Sequence, residues 1–530
     1  MSLPAPIRAM LRAQMYPHAP ATVELVQTHI SYVLLAGTDV YKVKKPVRFS
    51  FLDFSTLERR HHFCQEEVRL NRRLAPDVYH GVVAICPEGD TFRFAPETEA
   101  GAVEYAVHMR RLPAERMLDT LLDRGTVTVT MIVAVARRLA DFHRAADAGP
   151  DVSANGEPAA ILAVLQDNYA NARPFRDVTV PAGDDDAIQA FAHGFLKQHE
   201  PLFRQRQAQH HIRECHGDLH TEHVCFDPEP VIFDCIEFSR QFRYCDTASE
   251  IAFLAMDLDY HDRPDLARHL VSAYATYAGD PALPLLVPFY QCYRAYVRGK
   301  VDSLKSAEEE VETGEREQAR LSARRHFALA YRYTWAYSRA LVVIAGLSGT
   351  GKSAVATVLR VRTGFAHVNS DVVRKQLEGA AANTRLRAVY GGGLYTPAHS
   401  ARTYNAMLAA AREHVEAGHG VILDATFQRR ADRDAARALA AALGVPFILI
   451  ECWCPDEQVR QRITLRQRSG AGPSDADWSV YLEQRRGYEP IAPDEFEGHF
   501  RLDTAGPLNA VVADVERILR QRFVATPTVG

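Results

Sequence analysis

Apolar and polar positions divide the chain into two regions with different patterns. In the last third, short apolar runs at 341–345, 365–371, 420–426 and 445–453 alternate with segments of helical spacing. Short runs of this kind, separated by helices, are typical of parallel strands that are buried on both faces. The pattern therefore predicts an α/β domain with a parallel sheet flanked by helices.

The first 300 residues have a mixed pattern. After a short helical lead-in, apolar and polar residues alternate at 32–35 and 39–46, as they do in strands, and 58–74 has helical spacing. A further strand and a hinge are expected at 104–113, and helical patterns dominate from 128 to 209. This combination predicts an α+β region with a strand-rich part followed by a helical part.

The pattern also indicates where the first region ends. The charged run at 306–320 has the composition of a solvated helix, and it follows a helix with aromatic and basic faces. We interpret these segments as the last helices of the first domain and a connector. The expected domains are 1–335 and 336–530, which makes the chain an α/β and α+β multidomain protein.

The composition fits a soluble chain with more than one core. The 530 residues are 47% hydrophobic and 24% charged, and no apolar run predicts a signal peptide or a membrane span, so the cytoplasm is the expected location. Nine cysteines without a Cys-x-x-Cys pair favour reduced thiols. The net charge of −4 averages two unlike parts, since 24 Lys and Arg stand against 20 Asp and Glu from Ser338 onward.

The strongest chemical signal is a glycine-rich turn between a predicted strand and a predicted helix, which is the pattern of a P-loop. Such a turn lets backbone N–H groups converge on phosphate oxygens at a helix N-terminus. Lys352 can then reach the β- and γ-phosphates of ATP, and the Ser353 hydroxyl can bind Mg²⁺. The expected nucleotide-binding residues are Gly346, Leu347, Ser348, Gly349, Thr350, Gly351, Lys352 and Ser353.

Charged residues after the later strands supply further candidates. Asp424 ends a predicted strand and is expected to reach the Mg²⁺ shell, while Asp371 and Arg374 open the helix after another strand. Arg462 and Arg466 lie one turn apart on a helix that a glycine-rich link follows, as expected of a mobile lid over ATP. A basic surface face is the alternative interpretation of these arginines.

A second candidate site combines basic and acidic residues of the first region. Lys42 and Lys44 fall on one face of a predicted strand, and Glu67 lies on the next helix. Folds of the protein-kinase type use this order to hold ATP phosphates, although a solvated sheet edge is the usual explanation of such lysines. Asp218 and Asp234 are expected on neighbouring turns, where one carboxylate can deprotonate a hydroxyl and the other can hold Mg²⁺.

Histidines and cysteines near Asp218 leave other interpretations open. His216, His220 and His223 crowd this stretch, and Cys215 lies beside them, with Cys225 a little further on. A structural zinc site needs four ligands at defined spacing, usually with paired cysteines, and the sequence has no Cys-x₂₋₄-Cys pattern. A second alternative is that these side chains serve only in turns and packing.

The region from about 30 to 300 resembles the aminoglycoside phosphotransferase and choline kinase family. His-Gly-Asp-Leu-His at 216–220 and the later Phe-Asp234-Cys-Ile-Glu-Phe carry the resemblance. It implies a two-lobed fold of the protein-kinase type, with Asp218 as the catalytic base and Asp234 as a metal ligand. Lys42 would contact phosphate, with Glu67 as its partner and Lys44 as the alternative lysine.

Two positions depart from this family pattern. His223 stands where the family has a metal-binding Asn, so it is the corresponding candidate ligand here. Mg²⁺ prefers oxygen ligands, although a neutral imidazole can bind a metal. A later Asp-Leu-Ala of the family is replaced by Glu250-Ile-Ala.

Residues 338 to about 525 resemble the small P-loop kinases: gluconate kinase, chloramphenicol phosphotransferase, the zeta-toxin group and the kinase half of polynucleotide kinase. Ser-Asp371-Val-Val-Arg374 matches their motif at the acceptor side. The resemblance implies Asp371 as candidate base, and Arg462, Arg466 and Arg468 as lid residues. The order of the two regions resembles a bacterial fusion family known as phosphotransferase/ATP-binding.

Together these features predict an ATP- and Mg²⁺-dependent kinase with two nucleotide sites, acting on a hydroxyl group of an acceptor that is most simply a small molecule. Two other functions stay open. A nucleic-acid 5′-hydroxyl kinase would show a steep salt dependence of binding to RNA or DNA. In the other function, the N-terminal domain only senses nucleotide and regulates the P-loop kinase. ATP would then bind to the N-terminal domain without turnover.

Overall fold

The computed structural model describes residues 3–49, 52–309, 311–379, 396–469, 477–492, 495 and 498–524. The chain forms two compact units, Met1–Ala330 and Tyr331–Gly530. The predicted combination of α+β and α/β architecture is confirmed. Among the described helices, none has the length and apolar character needed to cross a bilayer.

The first unit begins with a six-stranded antiparallel sheet and two helices. The strands follow the order β1-β2-β3-β8-β6-β7, and the two short strands β4 and β5 pair with each other. The bounds are α1 Ala5–Met10, β1 Val23–Gln27, β2 Ser31–Ala36, β3 Asp39–Lys44, β4 Arg48–Phe49, β5 Leu52–Asp53, α2 Leu57–Asn71, β6 Tyr79–Glu88, β7 Thr91–Pro96 and β8 Glu104–Arg110.

Alternation along β3 assigns its side chains to two faces of the sheet. Tyr41 and Val43 join the apolar cluster under α1. Val40 joins the cluster that contains Cys64 and Val68 of α2. Because side chains alternate along a strand, Lys42 and Lys44 lie on the same face as Val40, beneath α2.

The sequence pattern suggested a helical lead-in, but this segment is only partly helical, because the strand β1 follows α1. Val23 and Leu25 alternate along β1 and pack onto the cluster under α1. The strand pairs antiparallel with β2, so its backbone groups are bonded in the sheet.

The rest of the first unit is mainly helical, with two small strand pairs. In the pairs, β9 bonds to β12 and β10 bonds to β11, both antiparallel. The bounds are α3 Leu118–Asp123, α4 Val129–Ala145, α5 Pro150–Ser153, α6 Pro158–Ala172, α7 Ala182–Gln198, α8 Glu200–Ala208, β9 Ile212–Glu214, β10 Val224–Phe226, β11 Pro230–Ile232, α9 Arg240–Arg243, β12 Tyr244–Asp246, α10 Thr247–Tyr260, α11 Pro264–Ala278 and α12 Leu283–Ala307.

Burial shows which helices form the centre of this part. Every residue from Thr247 to Leu258 in α10 is buried. Helix α4 instead buries one stripe, which includes Ile132, Val135 and Leu139, as its helical spacing predicts. Helix α10 is thus the central element on which the site residues described below depend.

The second unit contains a five-stranded parallel sheet in the order β14-β15-β13-β16-β17. All five apolar residues of β13 are fully buried, as expected for a central parallel strand. Helix α13 Thr313–Tyr333 belongs mostly to the first unit and ends just inside the second. The other bounds are β13 Leu341–Ala345, α14 Lys352–Thr363, β14 Ala366–Asn369, α15 Ser370–Leu377, α16 Pro397–Glu416, β15 Val421–Asp424, α17 Arg430–Ala442, β16 Phe447–Trp453, α18 Asp456–Ser469, α19 Trp478–Arg486, β17 His499–Asp503 and α20 Leu508–Val524.

Two details of this sheet differ from the sequence-based expectation. The second apolar run ends as a strand at Asn369, before the acid that was expected to end it. Asp371 lies in the first turn of α15, as expected, because the Asn369 side chain accepts hydrogen bonds from the Asp371 and Val372 amides. The edge strand β17 has a single buried residue, Leu502, so its apolar signal is weak.

Candidate active sites

Lysine and glutamate side chains meet between β3 and α2. The Lys42 Nζ lies 2.9 Å from Glu67 Oε1 and 2.6 Å from Asp234 Oδ1. The Lys44 Nζ lies 2.7 Å from Glu67 Oε2 and also contacts Glu237. Lys44 is completely buried, whereas Lys42 lines a cavity, so Lys42 is the lysine that is accessible from the cavity.

The segment around Asp218 is a loop held by the helices behind it. Glu250 of α10 accepts hydrogen bonds from the backbone amides of His216 and Gly217, both at 2.8 Å. Arg294 of α12 donates to the Gly217 carbonyl at 3.1 Å. Gly217 has a φ of +90°, and a Cβ there would lie 3.1 Å from the Phe242 carbonyl oxygen, so only glycine suits this turn.

Asp218 lies among basic side chains. The nearest atoms are His220 Nε2 at 3.5 Å and His223 Nδ1 at 3.8 Å from Asp218 Oδ2. Burial acts to raise the pKa of Asp218, but His220, His223 and Arg298 outweigh it and hold that pKa well below its usual value. The carboxylate therefore stays ionised and can accept a proton or a hydrogen bond.

Asp234 follows β11 in a left-handed conformation, with a φ of +61°, which Asp tolerates better than most residues. Its backbone amide donates to the Tyr79 hydroxyl at 3.1 Å. Burial acts to raise its pKa, yet Lys42 and His223 lower the pKa below the ordinary value. The His223 Nε2 lies 3.6 Å from Asp234 Oδ2.

The residues around Asp234 suit Mg²⁺, the cation that the resemblance to kinases implies. Asp234 supplies a carboxylate at the cavity, and such oxygens suit Mg²⁺. His223 would add a nitrogen, because burial and then His220 lower its pKa to about 4 and keep the imidazole neutral. Its Nδ1 lies 2.7 Å from the Asp218 carbonyl oxygen, which leaves Nε2 facing Asp234. The set fits a divalent cation through one hard ligand and one imidazole.

The histidines and cysteines of the zinc alternative are distributed over different places. Asp218, His220 and His223 bring ligand atoms within 4.8 Å of one another, whereas Cys215 groups with His143 and Glu250. The His216 Nε2 lies 2.7 Å from the Phe233 carbonyl oxygen. In the described part of the chain, these histidines and cysteines do not form one four-ligand cluster of the structural zinc type.

Replacing His223 with Asn should make the first unit less sensitive to mild acid. Between the ordinary histidine pKa of about 6.5 and the folded value of about 4, the unfolded chain binds a proton that the folded chain does not, so stability falls as pH decreases through this window. At pH 5 this contribution is about 2 kcal/mol.

The measurement is urea unfolding of the unliganded chain at pH 7 and pH 5. The His223→Asn variant should lose about 2 kcal/mol less than the natural chain between the two values. The matched control is His269→Asn, an exposed histidine of α11, which should behave as the natural chain does. Equal acid sensitivity of the natural chain and the His223→Asn variant would contradict the neutral state of His223.

In the second unit, the P-loop glycines occupy positions where a side chain would collide. Gly346 has a φ of +145°, and a Cβ there would lie 2.5 Å from the Cys452 carbonyl oxygen. A Cβ on Gly349 would lie 2.8 Å from Val459. Gly351 is the left-handed N-cap of α14, so Lys352 and Ser353 begin that helix. The backbone therefore has the strand-turn-helix form that phosphate binding requires.

Polar contacts fix the other P-loop residues. The Thr350 hydroxyl donates to the Leu347 carbonyl oxygen at 2.8 Å. The Ser348 backbone amide donates to the side chain of Gln484 in α19 at 2.9 Å.

Asp424 ends β15 beside the P-loop strand and is completely buried. Its Oδ2 accepts a hydrogen bond from Asn369 at 2.6 Å and lies 3.2 Å from His367 Nε2. Burial acts to raise its pKa, but His367 and Lys352 lower the pKa below the ordinary value. Within the described residues Oδ1 has no hydrogen-bond partner, so the site fits a cation or its bound water.

The remaining candidates lie on α15 and α18. Asp371 Oδ1 pairs with Arg374 at 2.7 Å on the first turns of α15. Arg462 donates to the Thr504 carbonyl oxygen at 2.7 Å, and the Thr504 hydroxyl donates to the Thr350 carbonyl oxygen at 2.5 Å, so Arg462 is connected to the P-loop.

Arg466 lies one turn further along α18, and Arg468 is exposed near its end. The glycine-rich link at 470–473 that suggested a lid lies outside the described residues.

Several residues that shape the two sites were not singled out by sequence reasoning. Glu250, although seen as a departure from a family pattern, was not expected to bind the Asp218 loop. Asp257 was also not expected to contact this loop, but it accepts a hydrogen bond from the Thr221 backbone amide at 2.8 Å. Asn369 and Thr504 orient Asp424 and Arg462. The only available signal was their position at the end of a strand or inside a buried helix.

Comparisons with known proteins cover both units. Residues 36–284 match the model of the "Phosphotransferase enzyme family", and residues 341–491 match that of an "AAA domain". The resemblances inferred from the motifs are confirmed at this level. Over 499 residues the chain is 31% identical to the uncharacterized protein Rv2004c of Mycobacterium tuberculosis and to Mb2027c of Mycobacterium bovis, across 94% of this chain and 95% of each relative.

Similar solved structures include two small kinases. A gluconokinase from Sinorhizobium meliloti is 20% identical, with 35% of this chain and 94% of that chain covered and a TM-score of 0.25. An APS kinase from Mycobacterium tuberculosis is 21% identical, with 34% and 98% covered and a TM-score of 0.26.

Proposed function

The chain belongs to the family of Rv2004c and Mb2027c, and from that premise we propose that it is an ATP- and Mg²⁺-dependent phosphotransferase with two nucleotide sites, one in each domain. The working limits of the domains are 1–335 and 336–530. The observation that carries this proposal is the ion pair of Lys42 with both Glu67 and Asp234, beside a cavity that Lys42, Asp218 and Asp234 line.

In the N-terminal domain, Asp218 acts as the base. The acceptor hydroxyl oxygen bonds to the γ-phosphorus of ATP as the bond from that phosphorus to the β–γ bridging oxygen breaks, ADP leaves, and the hydroxyl proton passes to Asp218. Lys42 binds the phosphates, and Asp234 with His223 would hold Mg²⁺. The cation supplies charge neutralisation on the phosphate oxygens when bound.

In the C-terminal domain, the P-loop backbone and Lys352 bind the ATP phosphates, and Ser353 and Asp424 would hold Mg²⁺. Asp371 is the proposed base, with Arg374 fixing its carboxylate through their ion pair. Arg462 and Arg466 supply guanidinium charge to the transferring phosphoryl group. The contact of Arg462 with Thr504 next to the P-loop supports its place in this set.

We expect two ATP equivalents to bind each chain in the presence of Mg²⁺. Replacing Asp234 with Ala should remove one of them, because the change deletes a carboxylate at Lys42 and the cation site of one domain only. The measurement is titration calorimetry of the full chain. The matched control is Asp265→Ala, a surface carboxylate of α11 that pairs with Arg263.

The outcome tests whether the N-terminal domain binds ATP, which both the proposal and the regulatory alternative require. Two events in the natural chain and the control, and one in the Asp234 variant, agree with two nucleotide sites. A single event that persists in the Asp234 variant would show that the N-terminal domain does not bind ATP. Incubation with γ-labelled ATP and a cell extract then identifies the class of acceptor that takes the label.

A further inference from the structure

The cavity of the first unit extends well beyond the catalytic carboxylates. Its volume is about 1050 Å³, and it reaches from Val40 and Met109 at the sheet, past Asp218, to the facing sides of α6 and α12. Because Lys42 and Asp234 lie at the sheet end, ATP would occupy that end. The space between α6 and α12 is therefore where an acceptor would lie, and we call it the acceptor chamber.

The walls of the acceptor chamber are apolar and aromatic. Helix α6 contributes Ile161 and Val164, which are one turn apart, and α12 contributes Tyr293, Val297 and Val301 at the spacing of a single helical face. A chamber with such walls binds a molecule whose body is apolar or aromatic, since burial of that surface is favourable.

The carboxylates of the cavity are poorly placed to bind a cationic acceptor. Besides Asp218 and Asp234, the lining acids among the described residues are Glu237, Asp246 and Glu308. Asp246 is paired with Arg206 at 2.6 and 2.7 Å. Glu237 is paired with Lys44, and Glu308 lies 3.1 Å from His29. The protein itself therefore supplies a basic partner to each of these three acids.

Lys300 differs from these acids, because the side chain that it contacts carries no opposite charge. It is partly buried on the chamber side of α12, and its Nζ lies 2.6 Å from the neutral Asn168 Oδ1, which also lines the chamber. Among the described residues no carboxylate lies within ion-pair distance of it, and the acid whose charge reaches it, Asp167, lies on the exposed side of α6. Burial lowers the pKa of Lys300, as expected for a cation without an anionic partner.

We propose that the acceptor of the N-terminal domain is a hydroxylated molecule with an apolar or aromatic body and a carboxylate that pairs with Lys300. Because the other lining acids already have basic partners, the chamber disfavours polycationic acceptors such as aminoglycosides. This inference rests on the proposed phosphotransferase function, since the acceptor hydroxyl must reach Asp218. The group transferred is the γ-phosphoryl group of ATP, and the acceptor carboxylate keeps its charge throughout.

The test uses two fluorescent probes that differ in charge, 6-hydroxy-2-naphthoate and its uncharged carboxamide. Each is titrated into the full chain with excess ADP and Mg²⁺, so that binding is measured without phosphate transfer. The variants are Lys300→Gln, Lys300→Arg and, as the matched control, Lys197→Gln, which removes an exposed lysine of α7 outside the cavity.

The natural chain and the Lys197 control should bind the naphthoate more tightly than the carboxamide. Lys300→Gln should weaken naphthoate binding by about 10- to 100-fold, as expected for a lost charge-assisted hydrogen bond, and should leave carboxamide binding unchanged. Lys300→Arg should retain the preference for the anion, which separates loss of charge from misfolding.

Three results would overturn the inference: no binding of the naphthoate, equal affinity for both probes, or tighter binding of kanamycin than of the naphthoate. Phosphate transfer from γ-labelled ATP to the naphthoate is scored separately. Binding that depends on Lys300 without any transfer would support the acceptor chemistry while contradicting the proposed phosphotransferase function.

Discussion

Replacing Lys352 with Ala should lower the rate of phosphate transfer by the C-terminal domain at least about 100-fold. The lysine begins α14 directly after the left-handed Gly351, so its ammonium group can extend to the phosphates that the P-loop backbone surrounds. Its charge already reaches Asp424, whose pKa it helps to lower. Without it, the charge that develops on the γ-phosphoryl group has no lysine to stabilise it.

The measurement is turnover of γ-labelled ATP with a cell extract as the source of acceptor. It is made in chains that also carry Asp218→Asn, so that only the C-terminal site contributes. The matched control is Arg360→Ala, which removes an exposed positive charge from the same helix. Turnover that is equal in the Lys352 variant and the control would refute the assignment of this site.

Replacing Asp218 with Asn should reduce transfer by the N-terminal domain about 100- to 10,000-fold while ATP binding persists. Asn keeps the shape of the side chain and can still contact His220, but it cannot take the proton of the acceptor hydroxyl. The loop itself should remain in place, because Glu250 and Arg294 hold the neighbouring backbone of Gly217.

This change is assayed in chains that carry Lys352→Ala, which leaves the N-terminal site as the source of turnover. Asp265→Asn, on the surface of α11, is the matched control and should keep full activity. Calorimetry with ATP completes the comparison. If the Asp218 variant loses ATP binding together with turnover, Asp218 contributes to nucleotide binding and is not the base.

The sequence predicted those parts of both units that depend on local pattern. The apolar runs indicated four strands of the C-terminal sheet, and the glycine spacing of the P-loop matches the left-handed and crowded positions of Gly346 and Gly351. Alternation along β3 placed two lysines on one face, but it could not tell them apart. Which of Lys42 and Lys44 faces the cavity depends on α2 and on Glu237, which is far away in sequence.

The parts that sequence reasoning missed depend on long-range contacts. Glu250 holds the Asp218 loop from a position 33 residues after Gly217, through two backbone amides that carry no sequence signal. The same is true of Thr504, which joins Arg462 to the P-loop. Its role follows from the position of β17 at the sheet edge, and a strand with one buried residue is hard to recognise.

The two lysines of β3 have a consequence for how the N-terminal domain would be controlled. Glu67 binds Lys42 with one carboxylate oxygen and Lys44 with the other. When Lys42 turns to a bound phosphate, the buried Lys44 still anchors α2 to the sheet. Folds of the protein-kinase type can be switched off by moving this helix and separating its glutamate from the lysine. Here we expect the second lysine to keep Glu67 and α2 at the sheet when Lys42 moves away, so that displacing the helix would also require breaking a buried ion pair.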